Sequence, residues 1–557
     1  MKYVIYGTNR VAKDFLYIFD ELSVLYFIDD NYKENKFLTY DVKTVQDAVI
    51  NRDFDQIIVC GFNKEPQIDK LIDLGMQYKK DYVKEEDFFC SLDEITIPKN
   101  KKIAIWGTGK VSEEFYEYTK NLNVDLYVDT YKRQEFFNGI TVKKPGDIGD
   151  YKDYFFIIAI DKDKEIISEL TDNGLKENID FISYQKWLGM PSQLLRRTIF
   201  DESHYDLVCN TMLNHLEIFY RGNTRCCCTT FLKQNLDNIF DKSADDLWKS
   251  NIHKVLCLSA ENKTFSFCDK RMCPLFVGIK KNNVDNNQSL YKKMSDYPKV
   301  LSIGHDSSCN LCCETCRKSV YFAKDQERKE INRVTRRIIK DYLEKCDFLI
   351  LAGDGEVFAS PDYKMIYTSQ KCNPKYIRLL SNGTLLNEEN WSLFKQDKNS
   401  KIMLTVSIDA ATKETYSKIR KGNFEQLKKN LTFASGLRKA GELRYFRINF
   451  VVQRENYREM IPFVKWGEEL GVDEVFFTKI LNWGTYSTQE FEQISMMEKD
   501  GVTPKKELKE VLESDIIKNS NIVDLGTIQY SHKKDKKGIV ENYYMWELEK
   551  RGGIIFE

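Results

Sequence analysis

Short apolar runs alternate along this chain with longer charged stretches that carry apolar residues at helical spacing. The opening segment reads YVIYGTNRVAKDF, LYFIDDN, QIIVCGFNK and LIDLGMQYKKDYV, and about one hundred residues later come IAIWGTGKVSEEF, LYVDTYK, YFFIIAIDK and LTDNGLKENIDFI. The order of the runs and the placement of the glycines match, so this is an internal repeat. Its period is too long for a solenoid and implies two copies of one domain, residues 1–95 and 96–190. Each copy predicts a strand, a glycine turn, an amphipathic helix and a second strand ending in Asp29 or Asp129.

From Val300 onward six apolar runs follow one another: VLSIGH, DFLILAG, YIRLLSN, IMLTVSID, FRINFVV and EVFFTKI. Charged, helix-compatible stretches separate them, such as Gln326 to Lys345 and Lys413 to Lys439. Repeated βα units predict a parallel sheet, and six of them suit a partial barrel with its site at the carboxyl ends of the strands. The expected fold class is therefore α/β, a partial (β/α)6 barrel over 298–485 joined to a tandem pair of small α/β domains. Residues 191–297 lack clean periodicity, opening on a helix-compatible stretch from Ser192 to Tyr220 before a cysteine-rich segment. Residues 486–557, with the short runs IVDLGTI and GGIIFE, are expected to cap the barrel or pack against the first two domains.

Composition narrows the class. The 557 residues are 42% hydrophobic and 30% charged, the balance of a soluble globular protein. Lys and Arg number 84 against 85 Asp and Glu, so no nucleic-acid footprint is visible. The first residues read as a strand and not as a secretory signal, and no run approaches the roughly 18 apolar residues of a membrane span. Fifteen cysteines in such a chain point to metal ligation in a reducing cytoplasm.

The cysteines fall into two groups. Cys226, Cys227, Cys228, Cys257, Cys268 and Cys273 form one, and Cys309, Cys312, Cys313 and Cys316 the other; Cys60, Cys90, Cys209, Cys346 and Cys372 are scattered and read as small apolar residues. In SIGHDSSCNLCCETCR, Cys309, Cys313 and Cys316 stand at C-x3-C-x2-C spacing, able to wrap one iron-sulfur cube and leave one iron open. Using Cys312 would reverse that spacing, and it is read as a non-ligand. His305 is read as a structural hydrogen-bonding residue. The next strand ends bring Gly353, Asp354, Gly355 and Glu356, then Ser381, Asn382 and Gly383, then Ser407, Ile408 and Asp409 with Arg420 eleven residues on. The glycines permit close backbone approach, and Glu356 can face a cationic amine.

Together CNLCCETC, GDGE, SNG and SID with its trailing IRKG resemble the radical S-adenosylmethionine superfamily over about residues 298–485. The resemblance implies a [4Fe-4S] cluster on Cys309, Cys313 and Cys316 whose open iron chelates the methionyl amine and carboxylate of S-adenosylmethionine. Gly353, Gly355 and Glu356 would belong to the cofactor pocket, the latter two beside the amine. Ser407 would lie near the ribose or carboxylate, Asp409 would shape the pocket, and Arg420 would pair with the carboxylate. Thr315 stands where members often carry an aromatic residue. The implied chemistry is one-electron cleavage of S-adenosylmethionine to a 5'-deoxyadenosyl radical that removes hydrogen from a substrate, with flavodoxin or ferredoxin as electron donor.

The middle cysteine group resembles the cluster-binding SPASM or twitch extension of such enzymes, through its cysteine-rich turn, Ile239, Ser243, Leu247 and Trp248, and Cys268-x4-Cys273-Pro274. Here it precedes the barrel and its spacing is abbreviated. It implies an auxiliary [4Fe-4S] cluster on Cys268 and Cys273 with two more of Cys226, Cys227, Cys228 and Cys257, Cys226 and Cys228 being taken first; tetrahedral zinc is the alternative.

The paired N-terminal segments resemble the small Rossmann-like domains at the front of bacterial sugar-modifying enzymes. The second copy carries Gly107, Gly109, Ser112 and, 22 residues after Gly107, Asp129, a loose dinucleotide fingerprint; in the first copy Asn9 replaces the middle glycine. The expected function is hydrogen abstraction from a small molecule or glycan precursor, in a net oxidation or rearrangement. A peptide-modifying maturase and a non-catalytic iron-sulfur scaffold are the alternatives.

Overall fold

The computed structural model describes residues 1–528 apart from 99, 120–121, 132–133, 161–162, 271–272, 274–275, 277–294, 352, 394–399 and 483–484. It is an α/β protein with three sheets rich in parallel strands. The first sheet comprises β1 (Lys2–Tyr6), β2 (Ser23–Ile28), β3 (Lys36–Phe37), β4 (Tyr40–Lys43), β5 (Gln56–Val59) and β6 (Tyr82–Lys84), in the order β3-β4-β2-β1-β5-β6. All pairings are parallel except the edge strand β3 on β4. Every residue of β5 is buried, as a parallel strand covered on both faces requires.

The second sheet holds β7 (Lys102–Trp106), β8 (Val124–Val128), β9 (Phe136–Phe137), β10 (Ile140–Lys143), β11 (Tyr154–Ile158) and β12 (Phe181–Ser183), in the order β12-β11-β7-β8-β10-β9. Strand for strand this is the order of the first sheet, so the repeated apolar runs form a repeated topology. The glycine after the first strand of each copy is required by the backbone. Gly7 has φ +127° and Gly107 φ +124°, and a Cβ would fall 2.4 Å from Cys60 O in one and 2.7 Å from Ala159 O in the other.

The third sheet runs β14-β13-β15-β16-β17-β18-β19-β20-β21. Its members are β13 (His215–Phe219), β14 (Thr224–Arg225), β15 (Val300–Gly304), β16 (Phe348–Leu351), β17 (Tyr376–Ser381), β18 (Lys401–Ser407), β19 (Leu443–Val452), β20 (Glu474–Lys479) and β21 (Val523–Asp524). Only β14 is antiparallel, to β13. The six runs read from the sequence are β15 to β20, and β13 and β21 lengthen the parallel row at its two ends. Helices such as Asp325–Asp341, Phe424–Lys439 and Met460–Leu470 return the chain between strands. Along β19, Leu443, Phe446, Ile448, Phe450 and Val452 are buried while the residues between them are half-buried or exposed.

The segment before β15 shares this core. Leu216, Ile218, Leu247, Trp248 and Leu256 belong to one buried cluster with Leu301, Leu349, Leu404 and Phe446. Helices Pro191–Ile199 and Asn251–Glu261 also close the first sheet, through Leu194, Leu195, Ile199, Val255 and Leu258 against Ile5, Phe15 and Phe27. After β20, Met496, Met497, Leu508 and Ile517 join the third core, whereas GGIIFE lies outside the described residues. Among the described residues no helix is long and apolar enough to cross a membrane.

Candidate functional site

The loop leaving β15 is closed on itself by a two-way backbone bridge, Cys309 N to Tyr321 O at 2.7 Å and Tyr321 N to Cys309 O at 3.2 Å. Inside it the Cys313 carbonyl accepts from Cys316 N (3.0 Å) and Arg317 N (3.1 Å), a single turn that holds Cys313 and Cys316 together. Cys309, Leu311 and Cys313 form one buried group against which Cys316 packs; Cys312 stands outside it. Two donors reach the sulfurs, Asn382 Nδ2 on Cys309 Sγ at 3.7 Å and Arg317 Nε on Cys316 Sγ at 3.4 Å. Burial pushes the Cys313 thiol up to about 11 and Arg420 pulls it back, so the sulfur is a neutral thiol until a cation displaces its proton.

The GDGE turn after β16 is pressed against this loop. A Cβ on Gly355 would fall 2.3 Å from Asp306 O and 2.8 Å from Ser308 O, so only glycine fits. The approach lets Glu356 N donate to Ser308 O at 2.9 Å. The Glu356 carboxylate, 1% exposed, accepts from Ser381 Oγ (2.7 Å), Phe358 N (3.2 Å) and Asn382 N (2.6 Å). Burial raises its pKa against the pull of those donors. Asn382 thus touches both Glu356 and Cys309. Gly353 is an exposed member of the same turn.

From the far side come β18 and the helix Lys413–Ile419. Ser407 ends β18 half-buried, in register with Asn449 of β19. Asp409 sits at φ +63° and is fixed three ways: Oδ1 accepts from Val451 N (2.7 Å), Oδ2 from Arg420 Nη1 (2.9 Å), and its carbonyl from Asn456 Nδ2 (2.9 Å). Arg420 closes the helix, its N donating to Tyr416 O at 2.9 Å, and its Nε is buried with no hydrogen-bond partner. Burial works against its charge, yet Cys313 and Asp409 hold the guanidinium protonated. The same charge acts on Cys309 and Glu356, so Cys309, Cys313, Glu356, Asp409 and Arg420 meet beyond the carboxyl ends of β15, β16 and β18, with Asn382 from the end of β17 between them.

Beneath the loop lies a network that sequence reasoning missed. Arg328 Nη1 donates to Asp306 Oδ2 (2.8 Å) and Asp362 Oδ2 (2.5 Å), and Nη2 to Ser308 Oγ (2.8 Å). Asp306 also accepts from Ser360 Oγ (2.6 Å) and Ser308 N (2.9 Å), and its carbonyl from Tyr363 OH (3.0 Å). Thr335 Oγ1 lies 2.7 Å from both Asp362 Oδ1 and His305 Nε2. His305 is buried, which pushes it down to about 4 and keeps it neutral. The available signal was the spacing of Arg328, Asn332 and Thr335, polar residues at helical intervals beside the buried Ile331, Val334 and Ile338.

The middle cysteines converge from several segments. Cys226 is buried and its carbonyl accepts from His215 Nδ1 (3.2 Å); Cys227 and Cys268 are half-buried, Cys273 buried and Cys228 exposed. Cys257 donates to Met212 O at 3.4 Å. Burial first, and then the neighbouring cysteines, raise the thiols of Cys226, Cys227, Cys257 and Cys268, and Cys209 contributes to all four. Ser243 caps the helix Ala244–Trp248 through Asp246 N (3.1 Å), and buried Trp248 donates to Ser295 O (2.6 Å). Pro274 lies outside the described residues. Among the described residues no group of three or more His, Cys, Asp or Glu side chains is drawn together at metal-holding geometry.

No family model and no curated protein matches the chain. Solved structures do. Streptococcus suis SuiB bound to precursor peptide SuiA is 17% identical over 33% of this chain and 40% of its own, with a TM-score of 0.26. SuiB bound to S-adenosylmethionine is 17% identical over 39% of this chain and 46% of its own, TM-score 0.28. Native anSMEcpe with bound AdoMet is 21% identical over 33% of this chain and 51% of its own, TM-score 0.25. The chain thus spans about half or less of the length of these proteins, and a likeness at such scores fixes neither fold nor chemistry.

The glycine turns of the first two sheets satisfy themselves. Thr108 Oγ1 donates to Asp129, which also accepts from Tyr131 N (2.8 Å), and Ser112 Oγ donates to Gly107 O (2.8 Å). Thr8 Oγ1 likewise donates to Asp29 at 2.5 Å. In both copies the acid that ends the second strand, Asp29 or Asp129, meets the turn threonine. A cavity of about 390 Å³ opens beside the first copy, lined by Thr8, Asn9, Lys13, Phe37, His204 and Lys263 among others.

Proposed function

We propose that the chain is a radical S-adenosylmethionine enzyme whose catalytic unit is a partial (β/α)6 barrel made of β15 to β20 and their helices. The observation that carries this reading is the meeting of a three-thiol loop, a buried and hydrogen-bonded Glu356 and an Arg420 with an unfilled donor at the ends of β15, β16 and β18. The donor set fits a [4Fe-4S] cluster. Cys309 and Cys313 share one buried group against which Cys316 packs, Arg317, Asn382 and Arg420 would offset thiolate charge, and Cys312 stands outside that group, leaving one iron to a further ligand. When bound, the cluster supplies the electron that cleaves S-adenosylmethionine and so generates the radical that takes hydrogen from the substrate.

The chain's own work is binding and orientation. Arg420, held by Asp409, presents its free Nε–H and remaining guanidinium donors to the methionyl carboxylate. Glu356, held by Ser381 and Asn382, receives the amine, with Gly353 and Gly355 allowing close approach. Ser407 lies at the neighbouring strand end for the ribose or carboxylate. Packing of Leu311 with the cysteines keeps water from the loop.

The auxiliary [4Fe-4S] cluster rests on Cys268 and Cys273 with two further thiolates of the middle group, for which Cys226 and Cys228 are the sequence expectation. With a flavodoxin or ferredoxin as reductant the setting is the cytoplasm. The substrate class is a small molecule or glycan precursor, favoured by the paired Rossmann-like units; a precursor peptide is the second outcome to test. Anaerobically reconstituted protein with dithionite and S-adenosylmethionine is expected to release 5'-deoxyadenosine, and Cys313→Ala to release none.

A further inference from the structure

One hydroxyl beside the three thiols has no use within the fold. Tyr416 lies on the helix Lys413–Ile419, one turn before Arg420, whose N donates to the Tyr416 carbonyl at 2.9 Å, so the two side chains leave the same face of the helix. The end of that helix is tied to the cysteine loop, because Glu314 N, next to Cys313, donates to Ile419 O at 2.9 Å. The Tyr416 ring is wholly buried and packs on Phe424, 5.5 Å between centroids. Gly422 makes room for it: a Cβ there would fall 2.9 Å from Tyr416 Cε1 and 3.0 Å from its OH. The hydroxyl has no hydrogen-bond partner among the described residues, and neither has Arg420 Nε. Burial first, and then Arg420, Cys313, Asp409 and Glu356, act on the phenol, and the net effect pushes it up to about 12 and keeps the hydroxyl a donor.

A buried tyrosine hydroxyl normally finds a hydrogen bond, and an unpaired one is costly. Phenylalanine would fill the same space without that cost, so packing does not account for the oxygen. Two unspent donors one helix turn apart, Tyr416 OH and Arg420 Nε, point to one acceptor that the protein does not contain. Beside a guanidinium that acceptor is an anion.

We infer that the Tyr416 hydroxyl binds the methionyl carboxylate of S-adenosylmethionine together with Arg420, an inference that rests on reading the chain as a radical S-adenosylmethionine enzyme. Glu356 takes the amine in that reading, which leaves the carboxylate as the anionic group for the two donors. A carboxylate has room for both, one on each oxygen. The pair makes the pocket selective for a ligand that keeps its carboxylate, and Gly422 serves the site by leaving the hydroxyl its space.

The test uses the full chain, anaerobically reconstituted with iron and sulfide, and measures binding of radiolabelled S-adenosylmethionine by equilibrium dialysis without a reductant. Tyr416→Phe is expected to weaken binding about tenfold at unchanged iron content. Decarboxylated S-adenosylmethionine, which keeps the amine and the nucleoside, is expected to bind the natural chain and the Tyr416→Phe protein alike. Without ligand, the urea midpoint of the Tyr416→Phe protein should equal or exceed the natural one, since the hydroxyl spends no bond in the fold. Equal affinity of the two proteins for S-adenosylmethionine would overturn the assignment, and so would an equal loss for both ligands or a lowered urea midpoint. A natural chain that binds no S-adenosylmethionine and releases no 5'-deoxyadenosine would sink the radical-enzyme reading itself, whereas tight binding that Tyr416→Phe does not alter sinks only the role of Tyr416.

Discussion

Arg420 is a buried guanidinium with one donor spent on Asp409 and another, Nε, unspent. Asp409 accepts from Val451 N with its other oxygen, so the carboxylate fixes Arg420 to the end of β19. Asp409→Asn keeps an oxygen for Val451 but weakens the hold on Arg420. Losing one charge-assisted hydrogen bond of about 1.5–3 kcal/mol should raise the KM for S-adenosylmethionine about tenfold or more. The turnover at saturation should change far less, and an unaltered KM would remove Asp409 from the pocket. Most residues of this site stand out in the sequence, because cysteine, glycine and acid at strand ends are costly without a use.

The helix Asp325–Asp341 does more than cross between β15 and β16. Through Arg328 it clamps Asp306, at the root of the cysteine loop, to Asp362, on the helix after the GDGE turn. Both carboxylates are almost wholly buried, so removing Arg328 leaves two unpaired charges. Arg328→Met is expected to destabilise the protein by about 3–5 kcal/mol in urea unfolding. Arg328→Lys should recover part of this, and should load less iron on the first site than the natural chain because Ser308 loses its donor. Equal stability of the Met variant would show that the clamp is not holding the loop. At this scale β15 to β20 were legible because each is an unbroken apolar run between long charged helices. Strand β13 was not, for HLEIF follows the helical turn Thr211–Asn214 directly, and β21 is too short to carry a pattern. The Asp306–Arg328–Asp362 clamp was hidden for another reason: its partners lie on three elements that only the tertiary fold brings together.

Across the whole third sheet, the cysteine loop follows the carboxyl end of β15, and another buried ionisable group opens β20. At the start of β20, far from the cysteine loop, burial and then the adjacent Asp524 push the Glu474 carboxyl up to about 7, despite Arg378 and an Arg447 nitrogen 3.7 Å away. Because the folded pKa lies above that of an unfolded glutamate, the folded chain holds a proton that the unfolded chain has released. The stability this gives is full below about pH 4.3 and is lost as pH rises through 7. Glu474→Gln is therefore expected to raise the Tm at pH 8, by a few degrees for about 1 kcal/mol, with the gain shrinking toward pH 6; a gain independent of pH would contradict the cause. The paired N-terminal sheets were legible as a duplication, whereas their attachment through helices Pro191–Ile199 and Asn251–Glu261 depends on apolar faces that sequence alone cannot pair. The account as a whole stands on the site at the ends of β15 to β18 acting on S-adenosylmethionine. Chromatographic measurement of 5'-deoxyadenosine from the anaerobic, dithionite-reduced protein tests that most directly: the nucleoside should accumulate in the natural chain and be absent from Cys313→Ala, and equal traces in the two would contradict it.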